Sequence, residues 1–221
     1  MDIKPFACTR RPAPADTVGS QEAPASVTDA GRALYAFRFS LEGGDSVTGV
    51  LCALSAPSLT DGTLTCSERL RPDDEEAFLR EAHDVARALS SASEQVEAMT
   101  LAFQDVPALD IILAAATEAT PLYDLSPDDA ETDADDTVRG VRVWRIGRSD
   151  AVKALTALFA HVDSAVVVDQ RSHVLAEAFE SLAHEGRISA SGFLALLVPY
   201  GQLSGTSVPR VPKALFRRGL G

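Results

Sequence analysis

The chain has 221 residues, 46% of them hydrophobic and 24% charged, a balance that suits a globular protein with a substantial core. Its formal charge of -12 repels phosphate before contact, so nonspecific nucleic-acid and anionic-membrane binding are excluded as expected activities. Cys8, Cys52 and Cys66 are odd in number and contain no CxxC pair, which argues against a disulfide framework or a zinc ribbon.

Three reduced thiols, the absence of an apolar segment after Met1 and the lack of any run near eighteen apolar residues make the cytoplasm the expected compartment. After a short N-terminal strand, Arg10 to Gly31 is rich in Pro, Ala, Ser, Thr and Asp and reads as a loop or poorly ordered arm. Leu34 to Phe39 and Val47 to Leu54 are β-prone runs. Glu42-Gly43-Gly44-Asp45 joins them into a hairpin, because glycine supplies the positive φ that the turn needs. Phe78, Ala82, Val85 and Leu89 then recur at helical spacing behind Pro72-Asp73, with Glu76 as capping-box partner.

Val96 to Phe103 reads as a strand and Pro107 to Glu118 as a helix burying Leu109, Ile112, Leu113 and Ala116. Seven of the thirteen residues from Asp124 to Asp136 are acidic, and their mutual repulsion predicts a hydrated loop. Val141 to Arg145 alternates as a strand, and Ser149 is expected to cap a helix carrying Val152, Leu155, Leu158 and Phe159. Ala165 to Val168 is a short apolar strand. It runs into a helix with Val174, Leu175, Ala178, Phe179 and Leu182 inward and Gly186 as terminator, and Gly192 to Val198 is the last apolar strand. The rhythm predicts an α/β fold, with mixed α+β as the variant: a mixed sheet opened by a β-hairpin, followed by repeated β-α units whose helices pack on the sheet. The expected division is residues 1–32 as strand and flexible arm, 33–200 as a single α/β domain, and 201–221 as a basic tail.

Ligands of open α/β sheets bind beyond the C-terminal ends of strands, where helix N-termini offer unpaired N–H groups. Asp169-Gln170-Arg171-Ser172-His173 occupies such a turn. In one reading Asp169 orients the His173 imidazole one turn on, Arg171 pairs with a phosphate and Ser172 donates to it. In the other, Asp169 or Ser172 is a helix cap and His173 a first-turn residue at the surface.

Several stretches together resemble the family called domain of unknown function 1015. They are Ile3-Lys4-Pro5-Phe6, Thr48-Gly49-Val50, Asp61-Gly62, Pro121-Leu122-Tyr123-Asp124, Val143-Trp144-Arg145, Val166-Val167-Val168-Asp169 and the closing Pro212-Lys213-Ala214-Leu215-Phe216. The resemblance implies an Asp-Gly-His-His-Arg motif at the strand-to-helix turn, similar to motifs of ParB and sulfiredoxin-like folds that include small-molecule kinases, and so implies nucleotide-linked chemistry. This chain keeps Asp169 but has Gln170, Arg171, Ser172 and His173 at the other four positions. A second motif of the family, His-Glu-x-Thr followed by a Lys and an Asp-Arg pair, falls on Ser67-Glu68-Arg69-Leu70, Glu75 and Ala77-Phe78, where only Glu68 is retained. A carboxylate at Glu75 in place of a lysine repels phosphate. The resemblance therefore implies a short, degenerate relative.

Metal sites are not expected. An EF-hand begun at Asp133 would place Val138 at the glycine turn and Trp144 at the bidentate position. His184-Glu185 lacks the second histidine of HExxH, and no P-loop, GxGxxG or GxSxG is present. The basic tail residues Arg210, Lys213, Arg217 and Arg218 suit either an intramolecular strap, with Leu215, Phe216 and Leu220 supplying buried area, or an anchor for an acidic partner.

Three functions are expected in turn. The first is a catalytically degenerate binding or regulatory protein with a protein or small-molecule partner and no cofactor. The second is a nucleotide- and magnesium-dependent kinase of an amino-acid-type substrate, with catalytic residues Asp169, Glu68 and His173 and with Arg171 and Ser172 on the nucleotide. The third is a structural interaction protein acting through its basic tail.

Overall fold

The glycine-driven hairpin organises the fold. Gly43 and Gly44 have φ of 91° and 93°, a region that side chains disfavour, and Leu41 N–H donates to the Asp45 carbonyl at 2.8 Å. In the computed structural model, residues 1–13, 26–66, 75–91, 94–95, 97–126, 138–188, 192–203, 208–212 and 215–219 are described. Their strands are β1 (Ile3–Lys4), β2 (Phe6–Arg10), β3 (Val27–Leu41), β4 (Ser46–Leu54), β5 (Leu64–Cys66), β6 (Glu94–Gln95), β7 (Met99–Phe103), β8 (Tyr123–Leu125), β9 (Val138–Ile146), β10 (Ala165–Val167), β11 (Phe193–Pro199) and β12 (Phe216–Gly219). The helices are α1 (Glu75–Ser91), α2 (Pro107–Ala116), α3 (Ser149–Phe159) and α4 (Gln170–His184). The protein is a mixed α/β fold. Its sheet runs β5-β10-β7-β11-β4-β3-β2-β12-β6, with β1 on β4 and with β9 on β3 carrying β8. Only the β5–β10 and β7–β11 pairs are parallel among the described residues.

Period-two alternation assigns each strand residue to one of two cores. Leu34 and Ala36 of β3, Val50, Cys52 and Leu54 of β4, and Phe193, Ala195 and Leu197 of β11 face the helices. Their neighbours Tyr35, Phe37, Phe39, Leu51, Leu194, Leu196 and Val198 face the opposite side with Phe6 and Phe216. Among the described residues, no helix residue belongs to that second core. β12 seals it instead: the Phe216 ring centroid lies 4.5 Å from Tyr35 and 5.9 Å from Phe37, and Phe216 is 2% exposed.

Three local expectations are corrected. Arg10 and residues 27–31, expected in a loop or arm, are strand residues: Arg10 pairs with Val27, Thr9 with Thr28 and Cys8 with Asp29. Long-range pairing overrides the weak β-propensity of Asp and Gly there. Tyr123 to Leu125, at the start of the acidic run, pairs with Val141 to Val143, where Tyr123, Val141 and Val143 are buried and Arg142 Nε lies 3.0 Å from Asp124 at the surface. The Asp133 calcium alternative lies outside the described residues. Finally, Ser149 makes no cap; the cap position falls on Arg148, whose guanidinium clamps Asp150 at 2.7 and 3.2 Å. Gly186 does terminate α4, at φ 67°, with Arg187 N–H to the Leu182 carbonyl and Gly186 N–H to the Ala183 carbonyl. Among the described residues, no helix is long and apolar enough to cross a membrane.

Candidate functional site

Asp169 caps α4. Its Oδ1 accepts the Ser172 N–H at 3.0 Å and an Arg210 guanidinium N–H at 2.8 Å, while Oδ2 accepts the Ser172 hydroxyl at 2.5 Å. Ser172 Oγ in turn accepts the Thr100 N–H at 2.8 Å, and the Thr100 hydroxyl donates to the Pro209 carbonyl at 2.9 Å. Asp169, Ser172 and Thr100 are all buried. A carboxylate removed from water needs such partners, and here they come from Ser172 at the helix N-terminus and from Arg210.

The other residues of the turn face elsewhere. Arg171 reaches Glu97 through Nε at 2.8 Å and Glu81 of α1 through an Nη nitrogen at 3.2 Å. The Glu97 hydrogen bond and the two carboxylate charges raise its pKa against the opposing effect of burial. The His173 ring packs on Phe78 of α1, centroids 4.7 Å apart. Thus Asp169 and Ser172 meet, whereas Arg171 and His173 engage α1. Glu68 lies outside the described residues, and Glu75 opens α1, exposed. Thr100 and Pro209 carried no sequence signal, and Arg210 appeared only as part of a basic tail.

A second polar cluster lies between β2 and β3. Tyr35 donates its hydroxyl hydrogen to Asp29 Oδ2 at 2.7 Å, Arg145 Nε–H donates to the same oxygen at 2.7 Å, and Cys8 Sγ lies 3.3 Å from the Tyr35 oxygen. Burial raises the Asp29 pKa, but the hydrogen bonds from Arg145 and Tyr35 outweigh it and hold the carboxyl below its ordinary value. Burial pushes both the Cys8 thiol and the Tyr35 phenol up, so Cys8 is a protonated, poorly nucleophilic thiol. The cluster ties Arg145 of β9 and Cys8 of β2 to β3.

The open concavity is at the other end of the sheet. β7 and β11 run parallel with Phe103 beside Pro199, so both carboxyl ends point the same way, whereas β10 runs antiparallel to β7 and enters there from Asp163-Ser164. A cleft of about 660 Å³ lies among these three segments, floored by Phe103 and Val162 and rimmed by Gln104, Asp105, His161, Asp163 and Tyr200. Asp105 Oδ1 accepts the Gly201 N–H at 2.8 Å. A Cβ on Gly201 would fall 2.1 Å from Asp105 Oδ2, so a larger residue there would displace the Asp105 side chain. The sequence signal for the cleft is the abrupt change from apolar Met99 to Phe103 to polar Gln104-Asp105 ahead of Pro107. Among the described residues, no group of three or more His, Cys, Asp or Glu side chains is placed to hold a metal ion. No protein-family model, curated protein or solved structure matches this chain.

Proposed function

We propose that the chain is a catalytically degenerate binding or regulatory protein of the domain-of-unknown-function-1015 type, acting in the cytoplasm on a protein or small-molecule partner without a cofactor. The observation that carries this reading is the engagement of Asp169: both carboxylate oxygens accept hydrogen bonds from within the chain, and Arg210 neutralises the charge. A general base needs a lone pair aimed at substrate, and a phosphate-binding arginine needs donors free of carboxylates. Arg171 is held by Glu97 and Glu81. Kinase chemistry through Asp169 and Arg171 would have to compete with these contacts. The decisive experiment incubates the protein with magnesium, ATP or ADP, and free serine, beside a thermal-shift titration of each nucleotide. The expected result is no phosphoserine and no stabilisation at millimolar nucleotide, since a ligand present at 100 Kd stabilises by about 2.7 kcal/mol. Phosphoserine formation would overturn the reading.

A further inference from the structure

The four helices differ in what they show to solvent. α1 presents Glu76, Arg80, Glu81, Asp84 and Arg87, a charged face at home in water. α2 presents Pro107, Ala108, Ile111, Ala114 and Ala115, with Asp110 the single charge in the helix. A helix that is apolar on both sides ordinarily has cover on both. One side of α2 has it, through Leu109 and Leu113 in the core; on the other, Ile111 is 74% exposed. Val106, which caps α2, also lines the cleft, whose rim carries Tyr200 at 64% exposure. Ile111 and Tyr200 are two of the three most exposed large apolar side chains among the described residues, and the cleft opens at the N-terminal end of α2, so apolar surface and concavity are close together as in a helix-binding site.

The charges around this surface select the occupant. Asp105 and Asp163 stand on the cleft rim, Asp110 on the first turn of α2 and Glu118 just past its end, and among the described residues no lysine or arginine lines the cleft. A second copy of a chain with formal charge -12 would bring like charge to an acidic rim, and so would an anionic lipid surface or a nucleic acid. We infer that the cleft and the outward face of α2 dock a basic amphipathic helix of a partner protein, with its apolar stripe on Ile111 and Tyr200 and its cations over Asp105, Asp110 and Asp163. The inference rests on the reading of the chain as a binding protein and names the class of its partner.

The test uses the full chain and a fluorescein-labelled Leu/Lys amphipathic helix of about 18 residues, about five turns, titrated by anisotropy. A Leu/Glu peptide of the same pattern serves as control. The basic peptide is expected to bind saturably and to weaken at least about tenfold, the equivalent of 1.4 kcal/mol, in Ile111→Glu and in Tyr200→Ala. Leu79→Glu, which alters the 46%-exposed leucine on α1, leaves binding unchanged. Equal binding of the acidic peptide, equal loss in Leu79→Glu, or no binding at all would overturn the inference. So would a dimer by gel filtration that Ile111→Glu dissociates, since the occupant would then be a second copy. Circular dichroism melts of each variant separate lost docking from lost folding. A failed titration with no phosphoserine in the kinase assay sinks this inference alone; phosphoserine formation sinks the underlying reading.

Discussion

At one end of the sheet, where β10 turns into α4, a carboxylate, a hydroxyl and a guanidinium are locked on one another. At the other end, beyond β7 and β11, Asp105, His161 and Asp163 stand on an exposed rim. Similar residue types thus have opposite fates, and burial decides between them. Polar atoms removed from water must find partners within the chain, whereas those on the rim keep their hydration and remain available to a ligand. The end where β10 turns into α4 is therefore the one whose polar groups are paired within the chain.

The largest test of this contrast is Gly192→Ala at the entry to β11. Gly192 has φ 77°, and a Cβ there would lie 1.5 Å from the Leu54 carbonyl oxygen. Backbone strain and displacement of β4 together predict a loss of about 3 kcal/mol or more in urea unfolding. Next is Asp169→Ala, which removes a cap and leaves Ser172 and Arg210 without their acceptor. A loss of about 2–4 kcal/mol is expected, with faster tryptic cleavage at Arg210. Arg210→Ala should cost about 1–2 kcal/mol, and a double-mutant cycle with Asp169→Ala should give a coupling of at least about 0.5 kcal/mol. Additive losses would mean that the pair does not hold the C-terminal segment in place.

The Asp29 cluster extends the contrast to pH. Its folded pKa is depressed, so its stabilisation is complete above the ordinary carboxylate pKa and is lost as pH falls through the lowered folded value. Melting curves taken from neutral to acid pH should show a shallower decline in Asp29→Asn than in the unaltered chain. The smallest effect is expected from Asp163→Asn on the open rim, within about 0.5 kcal/mol of the unaltered chain. A loss as large as that of Asp169→Ala would erase the distinction between the two ends.

Features made by neighbours in sequence were legible before any coordinates. The Gly43-Gly44 turn, the Gly186 terminator, the β-prone runs of β3 and β4 and the alternation of β9 are properties of a few consecutive side chains. Features made by distant partners were not. β5, β8 and β12 span three or four residues each, too few to show a period, and they exist because β10, β9 and β2 pair with them. Asp169 was visible as a cap, yet its guanidinium partner lies 41 residues away. The cleft stayed hidden for a reason of direction. Placing a ligand beyond Val168 assumed that β10 ran parallel with its central neighbour, but it is antiparallel to β7, so the carboxyl ends of β7 and β11 lie opposite.

β12 has a consequence for the order in which the protein is made. The aromatic side of β3 leaves the ribosome early, but Phe216, which covers Tyr35 and Phe37, follows Phe37 by 179 residues (216 minus 37). At ordinary synthesis rates that is a delay of roughly 10–40 s. Until β12 is made the rings of β3 are without their final cover. The aromatic side is therefore the expected route of association for any form of the protein in which β12 is not in place.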